Sequence, residues 1–593
     1  MSKQEIVSRI DALRKVMRGS HIDAYVISGT DPHLSEYMPS RWETRKFITG
    51  FTGSAGNVII TMERAILWTD SRYFIQAEEE LEGTGVELYK LGVDGVPTVC
   101  QFLYSTYTKD DKVGYDGFTF SPAFLKSVKK GCSRKGINMV ECGDLLSEIW
   151  KDRPVIPGKT IFKHDERFAT ISRAEKLLQV EQKLAESGAS AQIMVALDEI
   201  AWLLNLRGTD VQCNPVFVGY FLFSSKNKVL FVADGAISDE IRAELEQDGV
   251  EVDSYYNIEA RLTDVSGETF LIDSARINIT LKELILFKNK TVKGDSPATY
   301  LKAIKHPSEL EHIRNAMKKD AVAMLNFIYW LRGNAGKGIT ELDAANMIME
   351  TRSSQSEYYG PSFFPIIGFN PNGAVVHYRV NEESALKIEK EGFLLCDSGG
   401  QYQDGTTDIT RTFAMGELTH QQKVDYTMVL KGMINLTLAK FPKGTLGIQL
   451  DSYARRALWR HNLDYGHGTG HGVGYFMNVH EGPANIRKDY NSVGVEEGMI
   501  FSNEPGIYRD HEYGIRIENI FAAVLDTKNE YGDFLKWETL TLCPIDTAPV
   551  LKELLLEQEV EWLNAYHKNI NEKISPIVDG EIKQLLDELT IPI

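Results

Sequence analysis

Three of the chain's 13 histidines, His467, His471 and His480, fall within the single run HGTGHGVGYFMNVHEGP (467–483). Imidazoles so closely spaced can ligate a metal or move a proton near neutral pH. The glycines at 466, 468, 470, 472 and 474 rule out a stable helix, because each costs about 1 kcal/mol relative to alanine in a helix interior. An extended or looping chain remains. If it is extended, His467, Thr469 and His471 share one face, and the glycines leave room for close approach by backbone or ligand. No spacing matches GxGxxG and no βαβ context follows, so a dinucleotide loop is excluded. A metal box and a mobile glycine loop with solvent-facing imidazoles both remain open on this stretch alone.

Carboxylates supply the second half of the chemistry. In FLLCDSGGQYQDGTTDITRTF (393–413), Asp397 closes an apolar strand and Asp408 opens the next one. A hairpin would bring the two side by side. Bare carboxylates held together repel, and the pKa of one rises; a divalent cation between them removes the conflict. Oxygen ligands suit Mn, Mg or Ca, and Zn when nitrogen joins them. The competing reading makes Asp404 and Asp408 ordinary turn residues. Downstream, MIFSNEPGIY carries Glu504 after a β-type run. GIRIENI alternates like one strand, with Arg516 and Glu518 on a common face. A polar strand face is often only solvated. Two metals bridged by carboxylates, however, form a hydrolytic device that activates water and clamps a tetrahedral intermediate.

The elements that must position these residues follow from periodicity. The 593-residue length exceeds one core and suggests three or four domains. A helix over 5–18 leads into DAYVIS, GNVIIT and AILWTD, an α/β layer. After a linker-like KDRPVIPGKT, the order restarts with a helix over 172–188, then AQIMVA, VFVGYFLF and KVLFVA. Residues 1–150 and 160–295 therefore read as two diverged copies of one α/β unit. A third region opens near Lys305 with a long helix, where Ser308 and Glu311 fit a capping box. From Phe393 onward, β-type runs carry nearly all the chemistry-bearing polar residues, and residues 551–570 read as a final amphipathic helix.

Bulk properties narrow the function. No apolar run approaches the roughly 20 residues of a membrane helix, and the first residues lack a signal-peptide block. Six scattered cysteines without a CxxC pair suit reduced thiols in a cytoplasm. The net charge of −18 argues against nucleic acid as the main partner and suits a substrate presenting a cation, such as a peptide amine.

DGTTDITRTF, HGTGHGVG, NEPG and GIRIEN occur in order, and with them the chain resembles the pita-bread metallopeptidases, a family that includes methionine aminopeptidase, prolidase and aminopeptidase P. GFNPNGAVVHY (368–378) also fits. GFTGSAG, WTDSRYF and DEIAWLLNLRG extend the likeness over nearly the whole chain, toward the three-domain aminopeptidase P branch of cytosolic type. The resemblance implies two creatinase-like N-terminal α/β domains, over 1–155 and 156–304. A catalytic α+β pita-bread domain over 305–593 would follow, ending in a helical extension. It implies two divalent metals, Mn first, with Zn or Co as alternatives. Asp397 would chelate one metal; Asp408 and Glu518 would bridge both; His471 and Glu504 would complete the other. Glu504 would act as general base toward the bridging water. His377 and His480 would stabilise the oxyanion or hold the substrate, His467 would shape a proline pocket, and Arg72 would reach the substrate cleft. No departure from the ligand pattern is found.

The expected activity is removal of the first residue from peptides beginning Xaa-Pro. That bond is a tertiary amide with no N–H, and proteases that need a donor N–H handle it poorly. The alternatives are a prolidase restricted to dipeptides and a non-enzymatic scaffold of the same fold. The resemblance also implies a homodimer, unless the C-terminal helix bearing Trp562 and Leu563 packs wholly on its own core.

Overall fold

The computed structural model describes residues 2–224 and 226–593, apart from the side chains at 131 and 134. The chain divides into two compact units, residues 1–164 with 171–299, and residues 165–170 with 300–593.

The first unit contains the repeat expected from the sequence. One sheet runs in the order Val86–Lys90, Ala65–Thr69, Asn57–Thr61, Ala24–Ile27, Lys112–Tyr115, Asn138–Glu141. The other runs Val250–Ser254, Lys228–Val232, Gly219–Ser224, Ala191–Met194, Thr269–Ile272, Lys290–Lys293. Both have two antiparallel pairings flanked by parallel ones at the same positions. Their inner strands are mostly apolar and buried because helices cover both faces, while the edge strands carry exposed polar residues. In the first sheet Val58, Ile60 and Leu67 meet Ile6, Ile10, Leu13 and Met17 of the helix Lys3–Gly19. The alternate residues Ile59 and Ile66 face Phe102, Leu103 and Val128 on the other side. GFTGSAG is held by Arg45, which donates to the carbonyls of Gly29, Gly53 and Gly56. DEIAWLLNLRG supplies Glu199, which accepts from Ser296, Thr299 and Arg276.

Asp31 in this unit is fully buried, and its Oδ2 has no hydrogen-bond partner. Burial pushes its carboxyl up to about 6, against the backbone N–H groups of Ser35 and His33, which donate to Oδ1. A folded-state pKa above the unfolded one contributes stability below about pH 4 that is lost as pH rises through 6. The difference is about 3 kcal/mol. The neighbouring His33, lowered to about 3 by burial, acts in the opposite sense, but equally in wild type and variant. Asp31→Asn is therefore expected to be more stable than wild type at pH 7.5, with the advantage gone by pH 4, in paired urea titrations.

The second unit is α+β. The strand Phe393–Ser398 lies between Ile366–Phe369 and Ile409–Ala414. A six-stranded antiparallel sheet runs Lys440–Pro442, Gly532–Thr539, Asn519–Asn529, Ile500–Asn503, Gly470–Gly472, Glu481–Ile486. Three expectations change here. The long helix Pro307–Asn334 is capped by His306 and Glu309, two residues before the Ser308–Glu311 box, because Pro307 takes the first helical position. GIRIENI is two strands, Tyr513–Arg516 and the start of Asn519–Asn529, in different sheets. The C-terminal helix begins only at Glu557 and runs to Ile574. Two helices, His420–Thr437 and Gly447–Trp459, interrupt the β-rich region. Leu563 is buried in the core that Tyr426, Met433 and Ile515 share, with Trp562 packed against it. No disulfide joins the six cysteines. No helix among the described residues is long and apolar enough to cross a membrane.

Candidate metal centre

The hairpin sets the first pair of carboxylates. Asp397 pairs with Thr410 and Ser398 with Ile409, so Asp408 sits just outside the ladder beside the end of the first strand. The turn closes tightly: a Cβ on Gly399 would lie 2.0 Å from the carbonyl oxygen of Thr407. Thr407 donates its hydroxyl to Asp320 at 2.9 Å. Asp404 is no bare turn residue either; it is buried and paired with Lys319 at 2.6 Å.

The glycine run enters the six-stranded sheet. Only Gly470–Gly472 is regular strand, and a Cβ on Gly470 would come within 2.0 Å of the Ser502 carbonyl oxygen. Gly470 and Gly472 thus serve close strand approach. Thr469 does not act with the two histidines; its hydroxyl donates to Asp451. His471 Nδ1 lies 2.9 Å from the Gly472 carbonyl, which can only accept, so Nδ1 carries a proton and Nε2 is the nitrogen left to ligate a metal once its own proton is displaced. Nε2 lies 3.4 Å from Asp408 Oδ2 and 3.5 Å from Glu504 Oε1.

Glu504 follows the strand Ile500–Asn503; its N–H donates to the Thr469 carbonyl at 2.8 Å, and Oε1 accepts from Ser502. Glu518 sits at the crossing between sheets. Its N–H donates to the Thr410 carbonyl, and Oε2 accepts from the Thr410 hydroxyl at 2.7 Å. One donor atom each from Asp408, His471 and Glu518 lie within 4.8 Å of one another. Asp397 Oδ2 accepts from Arg516 at 2.5 Å, while its Oδ1 is buried without a hydrogen-bond partner.

Four buried or half-buried carboxylates thus meet one guanidinium and one imidazole. Burial raises Asp397, with Arg516 opposing and Asp408 adding to the rise. Burial also raises Glu504 to about 7 and pushes Glu518 far up, where Asp408, Glu504 and Asp397 add their repulsion. For His471 burial acts downward, but the hydrogen bond to Asp408 and the charge of Glu504 outweigh it and hold the ring at about 9. An orphaned carboxylate oxygen and a repelling carboxylate set fit divalent cations, whose charge reverses these directions on binding.

The other predicted residues have partners of their own. The His480 ring is 4.3 Å from that of His471. His467 Nε2 accepts from Tyr508 at 2.8 Å, and Tyr508 in turn accepts from Arg516 at 2.6 Å. With Nε2 so occupied, and Nδ1 donating to Gly468 and 4.0 Å from Glu504, His467 presents no lone pair to a metal. His377 is half-buried and follows Val376, whose carbonyl accepts from Arg516 at 3.4 Å. Arg72 belongs to the first compact unit, where it forks onto Asp70 with two bonds of 2.8 Å. The sequence reading missed Tyr508, Thr410 and Ser502. Arg516 was visible only as a strand neighbour of Glu518.

Residues 311–524 match the model of Metallopeptidase family M24, and 533–593 that of the C-terminal region of peptidase M24. Residues 9–153 and 152–309 each match a Creatinase/Prolidase N-terminal domain. Aminopeptidase P2 of Arabidopsis thaliana is 37% identical over 98% of this chain and 88% of its own length. The chain belongs to metallopeptidase family M24. Within it, the similarity is to the Xaa-Pro aminopeptidases. Xaa-Pro aminopeptidase 1 of Dictyostelium discoideum is 36% identical over 98% of this chain and 95% of its own. The crystal structure of an X-prolyl aminopeptidase from Caenorhabditis elegans, described as a cytosolic enzyme with a di-nuclear active site, covers 100% of both chains. Its TM-score is 0.94 at 31% identity. The M24 chain thus has two creatinase-like N-terminal α/β domains ahead of a pita-bread domain, as its sequence implied.

Proposed function

We propose that this M24 protein is a metal-dependent aminopeptidase that hydrolyses the amino-terminal Xaa-Pro bond and releases the first residue. The convergence of Asp408, His471 and Glu518 within 4.8 Å carries the reading, supported by full-length similarity to Xaa-Pro aminopeptidases. Asp397, Asp408, His471, Glu504 and Glu518 would hold two divalent ions, Mn in the first place and Zn or Co otherwise. Bound there, the ions would polarise the scissile carbonyl and lower the pKa of water. Glu504 would take the proton from the attacking water, a role a carboxylate can fill beside a metal-held water. His377 and His480 hold the developing oxyanion and the substrate. His467, oriented by Tyr508, faces the proline ring. Arg72 would contact the substrate. Domain limits at 155/156 and 304/305, a cytoplasmic location and a homodimer belong to the same proposal.

Purified protein with Mn²⁺ should release free arginine from Arg-Pro-Pro; no release with any added divalent metal would sink the reading. Cleavage of Gly-Pro but not of Arg-Pro-Pro would mark a prolidase instead. The histidines should separate cleanly. His471→Ala should weaken metal binding by at least about 100-fold, since even indirect partners of a metal are worth 10–100-fold. His480→Ala should keep its metal and lose about 10²–10³ in kcat. Elemental analysis beside steady-state kinetics distinguishes them; equal metal loss in both would refute the division.

A further inference from the structure

Five alternating glycines should leave residues 466–474 loose, yet the run is gripped from one helix. Asp451 and Arg455 lie one turn apart on Gly447–Trp459, and both are buried. Arg455 donates from Nε to Asp451 at 2.6 Å. From Nη1 it donates to Asp464 and the Tyr465 carbonyl, both at 2.7 Å, and from Nη2 to the His467 carbonyl at 2.8 Å. Its guanidinium lies 3.8 Å from the centre of the Tyr465 ring. The other oxygen of Asp451 accepts from the Thr469 hydroxyl at 2.5 Å, and that hydroxyl accepts from Tyr465 at 2.5 Å. The pair thus fixes residues 465, 467 and 469 in succession. The planar fork of arginine suits this task, since it serves two carboxylates and two carbonyls at once.

We propose that Asp451 and Arg455 are positioning residues that hold the glycine run against the substrate, so that His467 meets the proline ring. They set binding and proline selectivity, not metal affinity. His467 has its carbonyl on Arg455 on one side and its ring against Tyr508 and Tyr465 on the other. Loosening the grip therefore moves the ring while leaving its chemistry intact. The inference rests on the reading of His467 as facing the proline.

Thr469→Val removes only the hydroxyl that reaches Asp451; Thr469→Ser keeps it; Arg455→Lys keeps the charge and loses the fork. Each is assayed with saturating Mn²⁺ on Arg-Pro-Pro and on the same peptide with N-methylalanine for the first proline, which keeps the tertiary amide without the ring. Thr469→Val and Arg455→Lys are expected to raise KM for Arg-Pro-Pro about tenfold, with kcat within about twofold and metal content unchanged. Their preference for proline over N-methylalanine falls by a similar factor, and Thr469→Ser restores both. Unchanged KM and preference in folded Thr469→Val, or parallel loss of metal, overturns the proposal. If one variant fails to fold, the other decides. An inactive wild type would instead overturn the proposed function.

Discussion

Asp408→Ala is expected to lower kcat/KM on an Xaa-Pro tripeptide by on the order of 10³-fold and to leave the protein without most of its bound metal. The magnitude corresponds to about 4 kcal/mol of lost transition-state stabilisation. Asp408 occupies the middle of the cluster. It lies 3.4 Å from His471 and belongs to the group of three that converges within 4.8 Å. It is also among the charges that raise Asp397, Glu504 and Glu518. The rest of the hairpin should survive its removal, because Thr407 and Thr410 keep their bonds to Asp320 and Glu518. Asp404→Asn supplies the contrast. Asp404 stands four residues earlier on the same turn but is paired with Lys319, so its neutral variant should keep its metal and stay within about threefold in rate, the effect of less than 1 kcal/mol. Elemental analysis and kinetics on both variants check this. An Asp408→Ala protein with full metal content and wild-type rate would remove Asp408 from the centre.

The sequence exposes this hairpin because its chemistry is local. FLLCDS is apolar on both faces and ends on a carboxylate, and eleven residues bring the chain back beside it. The repeated sheets of the first unit are legible for the same reason, as short apolar strands in a recurring order. What stays hidden is decided by partners far away in the chain. GIRIENI keeps its alternation straight through residue 517, so nothing local signals that the strand leaves one sheet at Arg516 and joins another at Asn519. The helix His420–Thr437 buries Asp425, Thr427 and Thr437 along with its apolar residues, which blurs the amphipathic pattern that a helix facing one core would show. Asp451 and Arg455 are spaced like an ordinary surface pair one turn apart, and nothing local signals that both are buried. Arg516 hides likewise, since its partners Asp397 and Tyr508 come from two different strands.

The largest stability effect is expected at Arg352, outside the metal cluster. Its side chain is buried on the helix Glu341–Ser353 and donates to Asp320 from Nε at 2.7 Å and Nη2 at 3.1 Å. Nη2 also reaches the Ser398 carbonyl at 3.4 Å. Asp320 Oδ1 further accepts from Tyr402 at 3.0 Å and Thr407 at 2.9 Å. Ser398 and Thr407 are the neighbours of Asp397 and Asp408, so this buried pair braces both arms of the hairpin from behind. Arg352→Met keeps the volume but leaves Asp320 as a buried charge with only two hydroxyls to solvate it. Breaking a buried ion pair from one side costs about 3–5 kcal/mol, and that loss should appear as a lower urea midpoint with unchanged slope. The double variant Arg352→Met, Asp320→Leu removes the orphaned charge and should recover part of the loss, though not all, because Tyr402 and Thr407 then lack their acceptor. If the double variant is less stable than the single one by the full cost of Asp320→Leu alone, the two side chains are uncoupled and the bracing role is lost. If the pair does brace the hairpin, Arg352→Met should also bind metal more weakly at temperatures where it remains folded, and metal titrations on the folded variant test that link directly.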